Sequence, residues 1–341
     1  MGQVMTVTGP VDARRLGVTL PHEHVCLDLT CLWQAPVDPR RTWIIDAPVT
    51  AAMQAVLKQD PYHSRDNLRL NDRDTARAEL RDFARAGGGS VVELSSAGIG
   101  PFPRELRVLA RETGLHIVAG TGFYVHRAHP AWVHEAPWEQ LSEHMLRHLT
   151  EGFGTSGIRA GVLGELGTGS PVHPDEAKVL RAAAAVQRRY PVAINVHLAI
   201  FAREGRRVLD LLESYGADLS RVALSHLDEH LDVPYHEALL RRGVFVEFDT
   251  FGSECRFEES GTREPRDAER MKALAHLVDR GYRSQLLLSQ DVCTKMHWHR
   301  YGGRGYDHLL TGVAPALRRA GFSDSDLEVL MVANPARLLG G

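Results

Sequence analysis

The sequence predicts an α/β protein folded as a single (β/α)8 TIM barrel with an extended loop after its first strand. Three observations carry that expectation. Short β-type runs alternate with longer segments of helical period, the order that parallel βα units require. The runs number eight, which is the barrel number. Histidines and carboxylates directly follow several of the runs, where parallel strands would collect them at one mouth.

The first strand is expected at Gly17 to Leu20. The others follow at Ser90 to Leu94, His116 to Gly120, Gly161 to Gly164, Val192 to Asn195, Val222 to Leu224, Val244 to Phe248 and Gln285 to Leu288. Amphipathic segments lie between them, among them Asp74 to Ala86, Pro103 to Thr113, Pro174 to Arg189, Glu204 to Tyr215 and Asp267 to Arg280. Several open with Asp or Pro and close near Gly, as helix starts and stops do. Ser323 to Asp326 should cap a final helix ending before Asn334-Pro335. About 70 residues separate the first two strands, far more than a βα connection needs. Within them Trp33 to Pro48, rich in aromatics and prolines, is placed either over the mouth or as a surface elaboration.

Composition fits one domain spanning residues 1–341. The chain is 43% hydrophobic and 24% charged, enough to bury a large core. A formal net charge of -3 offers no global attraction to nucleic acid or anionic membranes. Cys26, Cys31, Cys255 and Cys293 form no CxxC pair, so a reduced, cytoplasmic protein is expected. Met1 to Thr6 formally matches an acylation pattern, which is discounted because the chain soon enters core structure. Neither a leader nor a membrane span is expected.

The most informative stretch is Leu16 to His24, an apolar run ending in His22 and His24. Strand side chains alternate faces, so these two imidazoles point the same way. With 18 histidines in the chain, the pair means little alone. Its company decides. Glu165 ends the fourth strand, His197 the fifth and His226 the sixth, and Asp291 follows the eighth. Singly, each could be a core histidine, a cap or a turn residue. Jointly, four histidines and two carboxylates at one end make a two-metal set, suited to ions of the zinc type that activate water for hydrolysis.

The segments Gly17 to His24, Gly164 to Thr168, Asn195 to His197, Ser225 to Leu227, Ser289 to Asp291 and Asn334 to Arg337 resemble the phosphotriesterase-related family of the amidohydrolase superfamily, nearly end to end. That resemblance implies a barrel with a binuclear centre in which His22, His24 and Asp291 hold one metal, His197 and His226 the other, and Glu165 bridges them. Pairing into a homodimer is a further implication.

The departures narrow the expectation. Many relatives bridge the ions with a carboxylated lysine, whereas none of the four lysines here lies on the fourth strand. Glu165 in that place makes the chain look like the branch called phosphotriesterase homology proteins. Asp249 is followed by Thr250 where the organophosphate-degrading branch carries a histidine, which lowers the expectation of phosphotriesterase activity. Tyr124 matches a position where lactonase relatives place a tyrosine beside the substrate; packing alone is its other reading.

The expected reaction is hydrolysis of an ester or lactone carbonyl by a bridging hydroxide, with Asp291 shuttling the proton. Zinc comes first among the ions, with manganese, cobalt or iron as alternatives. The partner is a small molecule. Arg256, Arg263, Arg266, Lys295, His297, His299 and Arg300 after the last two strands either make the mouth basic, favouring an anionic or phosphorylated substrate, or are loop positions in an arginine-rich chain, the reading preferred here. His297 and His299 form a second HxH, ranked well below the first. Phosphodiester or phosphotriester cleavage, a one-metal deaminase or amidase, and a non-catalytic ligand-binding barrel are the competing readings.

Overall fold

Residues 2–258 and 260–341 are described in a computed structural model; Met1, which opens the discounted acylation pattern, lies outside them. Eight parallel strands form one sheet: β1 (Val18–Glu23), β2 (Gly88–Glu93), β3 (His116–Thr121), β4 (Val162–Gly167), β5 (Ile194–His197), β6 (Val222–Leu224), β7 (Phe245–Phe248) and β8 (Leu286–Leu288). Their spatial order is their chain order, so the sheet curls into a barrel.

The seam between β1 and β8 is fastened largely by side chains. Glu23 accepts hydrogen bonds from the backbone N–H groups of Gln290 and Val292, both at 2.8 Å. Ser289 Oγ lies 2.7 Å from Glu23 Oε1 and accepts from the His22 N–H at 3.1 Å. Burial pushes the Glu23 carboxyl up to about 7, against the pull of these donors.

Period-two alternation sorts the barrel interior into layers. At the N-terminal end Val92, Val118, Val162, Ala193, Ala223, Phe245 and Leu287 pack with Leu16. Two residues further along, Asn195, Ser225 and Glu247 form a buried hydrogen-bonded set, with Asn195 Nδ2 donating to Glu247 Oε2 at 2.8 Å. Beyond it stand the histidines and carboxylates. Backbones crowd here: a side chain at Gly120 would overlap the Gly164 carbonyl.

The outer ring includes α1 (Arg73–Arg85), α2 (Pro103–Thr113), α3 (Trp138–Thr150), α4 (Pro174–Arg189), α5 (Gly205–Ser214), α6 (Val233–Leu240) and α7 (Asp267–Asp279). Asp72 caps α1, and Gly114 ends α2 at φ 77°. Fully buried Leu106 and Leu109 of α2 each contribute roughly 1.5–3 kcal/mol of apolar burial.

One expectation needs correction. The last helix does not stop before Asn334-Pro335: Asp324–Glu328 runs through a wide turn, Val329–Ala333, into Asn334–Gly340. Pro335 carries no N–H to complete the regular ladder, so the wider turn precedes it and the helix goes on. In the long first connection, the mouth is reached by Leu29, Pro61 and Tyr62, not by the aromatics of Trp33 to Pro48. Trp43 is 56% exposed, and Trp33 Nε1 donates to the His63 carbonyl beneath a stacked Arg65. Among the described residues no helix is long and apolar enough to cross a membrane.

Candidate metal centre

The six expected ligand residues meet at the C-terminal mouth. His24 Nε2 stands 3.4 Å from Glu165 Oε1 and 3.2 Å from Asp291 Oδ1. His22 Nε2 is 3.7 Å from Glu165 Oε2 and 3.8 Å from Asp291 Oδ1. On the other side, His197 Nδ1 lies 3.1 Å from Glu165 Oε2 and 2.9 Å from His226 Nε2. Glu165 thus presents one oxygen to His24 and the other to His197.

The imidazoles are aimed by partners that the sequence reading had not assigned. His22 Nδ1 lies 2.9 Å from Asp249 Oδ2 and 3.4 Å from Glu247 Oε2, which places its proton on Nδ1 and leaves Nε2 bare. The other Asp249 oxygen stands 3.4 Å from His226 Nδ1 and accepts from the His226 backbone N–H at 2.9 Å. His24 Nδ1 is 2.9 Å from Ser95 Oγ, which donates to Glu93 at 2.6 Å. Asp249 therefore orients one histidine on each side of the centre. Acidic residues two apart, Glu247 and Asp249, at the end of the run Phe245 to Asp249 were the available signal.

Three buried atoms of the ligand residues, His22 Nε2, His226 Nδ1 and Asp291 Oδ1, have no hydrogen-bond partner. Bare acceptors such as the first and last, converging at 3–4 Å, are costly unless a cation sits among them, so this donor set fits divalent ions of the zinc type. The carboxylates and imidazoles also compensate one another's charge. Burial opposes charge on Asp291, yet the neighbouring histidines hold its carboxyl well below the usual range. Burial also works against the His226 imidazolium, and Asp249 outweighs it, raising that ring to about 9. His226 and Asp291 sit at φ 61° and 46°, left-handed conformations that cost on the order of 1–2 kcal/mol each outside glycine.

The adjoining cavity is walled by Tyr124, Tyr62, Leu29, Ile200, Phe257, Glu229, Glu264, Cys293 and His297. Tyr124 packs its ring edge-on to His197 at 4.9 Å. The basic mouth considered from the loops is not built. Arg263 and Arg266 bind Glu269, Lys295 binds Asp66 at 2.6 Å, and Arg300 reaches Thr75. Buried Glu229 and Glu264 line the cavity instead, with burial pushing both carboxyls up. The second HxH is split: His297 faces the cavity, and His299 pairs outward with Asp307 at 2.6 Å.

Comparison with known proteins adds names to this geometry. The model described as "Phosphotriesterase family" matches residues 2–339. The N-acetyltaurine hydrolase of Tetraodon nigroviridis is 34% identical, the alignment covering 99% of this chain and 98% of that protein. The crystal structure of a resiniferatoxin-binding protein from Rhodobacter sphaeroides superposes with a TM-score of 0.97 at 38% identity, covering 99% of this chain and 95% of the other. A mutant of a PTE-like lactonase from Deinococcus radiodurans gives 0.78 at 31%, covering 99% and 100%.

Proposed function

The chain belongs to the phosphotriesterase family, and from that premise we propose that it is a binuclear-metal hydrolase cleaving a carboxylic acyl bond, an ester or lactone foremost. One observation carries the reading: the two oxygens of Glu165 face the two halves of a six-residue ligand set. His22, His24 and Asp291 would hold one ion, His197 and His226 the other, and Glu165 both. Zinc is the first candidate, with manganese, cobalt or iron as alternatives. Bound there, the ions supply a water acidic enough to attack at neutral pH and a Lewis acid for the carbonyl oxygen.

The protein's own residues do the rest. Asp291 takes the proton of the attacking water and returns it to the leaving oxygen. Asp249 and Ser95 keep His22, His226 and His24 in orientation through the cycle. Tyr124 positions the acyl part against His197. Leu29, Ile200 and Phe257 exclude water from one side of the cavity. Four cysteines, free in the structure, fit a reduced cytoplasmic setting.

Amide hydrolysis is the second reading, favoured by the likeness to N-acetyltaurine hydrolases along nearly the whole chain. The same centre serves it, with Asp291 protonating a leaving nitrogen. A panel of lactones, carboxylic esters, N-acyl amides and phosphotriesters, assayed with and without chelator beside Glu165→Ala, tests both. Chelator-sensitive, Glu165-dependent cleavage should appear with lactones or esters, at rates above any phosphotriester. Turnover confined to amides would replace the first reading with the second, and absence of such turnover from every class would remove both.

A further inference from the structure

A second group of metal-competent side chains lies outside the barrel mouth, where the loop after β3 meets the start of α4. His126, His129, His134 and Asp175 each bring one ligating atom to within 4.8 Å of the others. His126 opens the single turn His126–Ala128, His134 lies on the short helix Ala131–Glu135, and Asp175 is the second residue of α4. Three chain segments therefore converge on one point.

Two ring nitrogens there are shielded from solvent and have no hydrogen-bond partner: Nδ1 of His126 and Nδ1 of His129. His129 is 8% exposed, and its Nε2 lies 2.7 Å from the Tyr124 carbonyl. A carbonyl can only accept, so the His129 proton sits on Nε2 and Nδ1 offers a bare lone pair. That is the tautomer and the backbone contact that metal-ligating imidazoles adopt. Asp175 divides its oxygens: Oδ1 meets Lys178 Nζ at 3.0 Å, and Oδ2 faces His134 Nδ1 at 2.8 Å and His126 Nδ1 at 3.4 Å. His173 stacks on His126 with ring centroids 3.5 Å apart, which limits that ring's freedom. Despite partial burial, His134 and Lys178 hold the Asp175 carboxyl at about 2, so it is an anion.

We propose that His126, His129, His134 and Asp175 form a separate site for one divalent ion of the zinc type. Three imidazoles and one carboxylate fill a tetrahedral shell, which makes the site closed and structural, without an open position for a substrate. Nitrogen donors disfavour calcium and magnesium. The ion would pin the loop after β3 to α4 and stand directly behind Tyr124, whose carbonyl is already held by His129. It would thus stiffen one wall of the catalytic cavity from outside.

The experiment is metal counting on the full chain. Wild type, His134→Ala and Asp175→Asn, each verified as folded by circular dichroism, are equilibrated with zinc, freed of loose metal and analysed by mass spectrometry. His134 and Asp175 lie near the surface, and neither belongs to the barrel-mouth set. Both variants should hold one equivalent fewer than wild type, and cobalt titration should show the affinity of that equivalent reduced by at least about 100-fold. Because the readout is a difference, it stands whatever the occupancy of the barrel mouth. Equal stoichiometry in wild type and both variants would overturn the proposal and leave the cluster as a histidine–aspartate ion-pair network.

Discussion

Along β7 the inward positions run Phe245, Glu247, Asp249, and along β8 Leu287, Ser289, Asp291, so two neighbouring strands begin in an apolar plug and end in a ring of charge. At the N-terminal end stability comes from area removed from water and is indifferent to ions. At the C-terminal end buried carboxylates and imidazoles are compatible with folding because each is paired or, at the bare atoms, suited to a cation. The contrast teaches that one set of strands can separate its work along its length. A hydrogen-bonded middle layer of Asn195, Ser225 and Glu247 joins one to the other, touching the upper end at His22 Nδ1.

The largest expected effect tests the upper end alone. Exhaustive chelation should lower hydrolysis by at least about 10³-fold, with zinc restoring it and circular dichroism unchanged. Global unfolding on chelation would break the separation. At the lower end, Phe245→Ala should cost about 3–5 kcal/mol in denaturant unfolding. Metal content should stay at the wild-type value, and loss of metal from the still-folded variant would show the layers to be coupled. Asp249→Asn should reduce metal affinity about 10–100-fold, measured by competition with a chelating dye. A drop in stability as large as that of Phe245→Ala, with affinity intact, would recast Asp249 as a core residue. Ser225→Ala, in the middle layer, should cost about 1 kcal/mol and, through its 3.0 Å contact with His22 Nδ1, lower affinity less than Asp249→Asn does.

How much of this was legible in the sequence follows the same division. The strands were readable as apolar runs, with ends displaced by no more than three residues: β1 continues through Pro21 to Glu23 and β4 to Gly167, while β6 matches end to end. The ligands were readable because each directly follows such a run. Glu23, Glu93 and Asp249 were not assigned roles, since what they orient comes from residues near or far in sequence that only the closed barrel brings together. The basic mouth failed for a related reason. Arginine in a loop says nothing of its partner, and here Glu269 and Asp66 had already claimed the charges. His126, His129, His134 and Asp175 were invisible as a group because a loop and a later helix supply them.

The side-chain seam between the first and last strands has a topological consequence. His22 and His24 lie on one side of it and Asp291 on the other, so an ion they share would clasp the chain near its two ends, as a cross-link closing a loop of more than 260 residues. Closing so long a loop restricts the unfolded ensemble more than a local tie does. Amide hydrogens of β1 and β8 should accordingly exchange faster after chelation than those of β4 and β5, the barrel loosening first along its own closure.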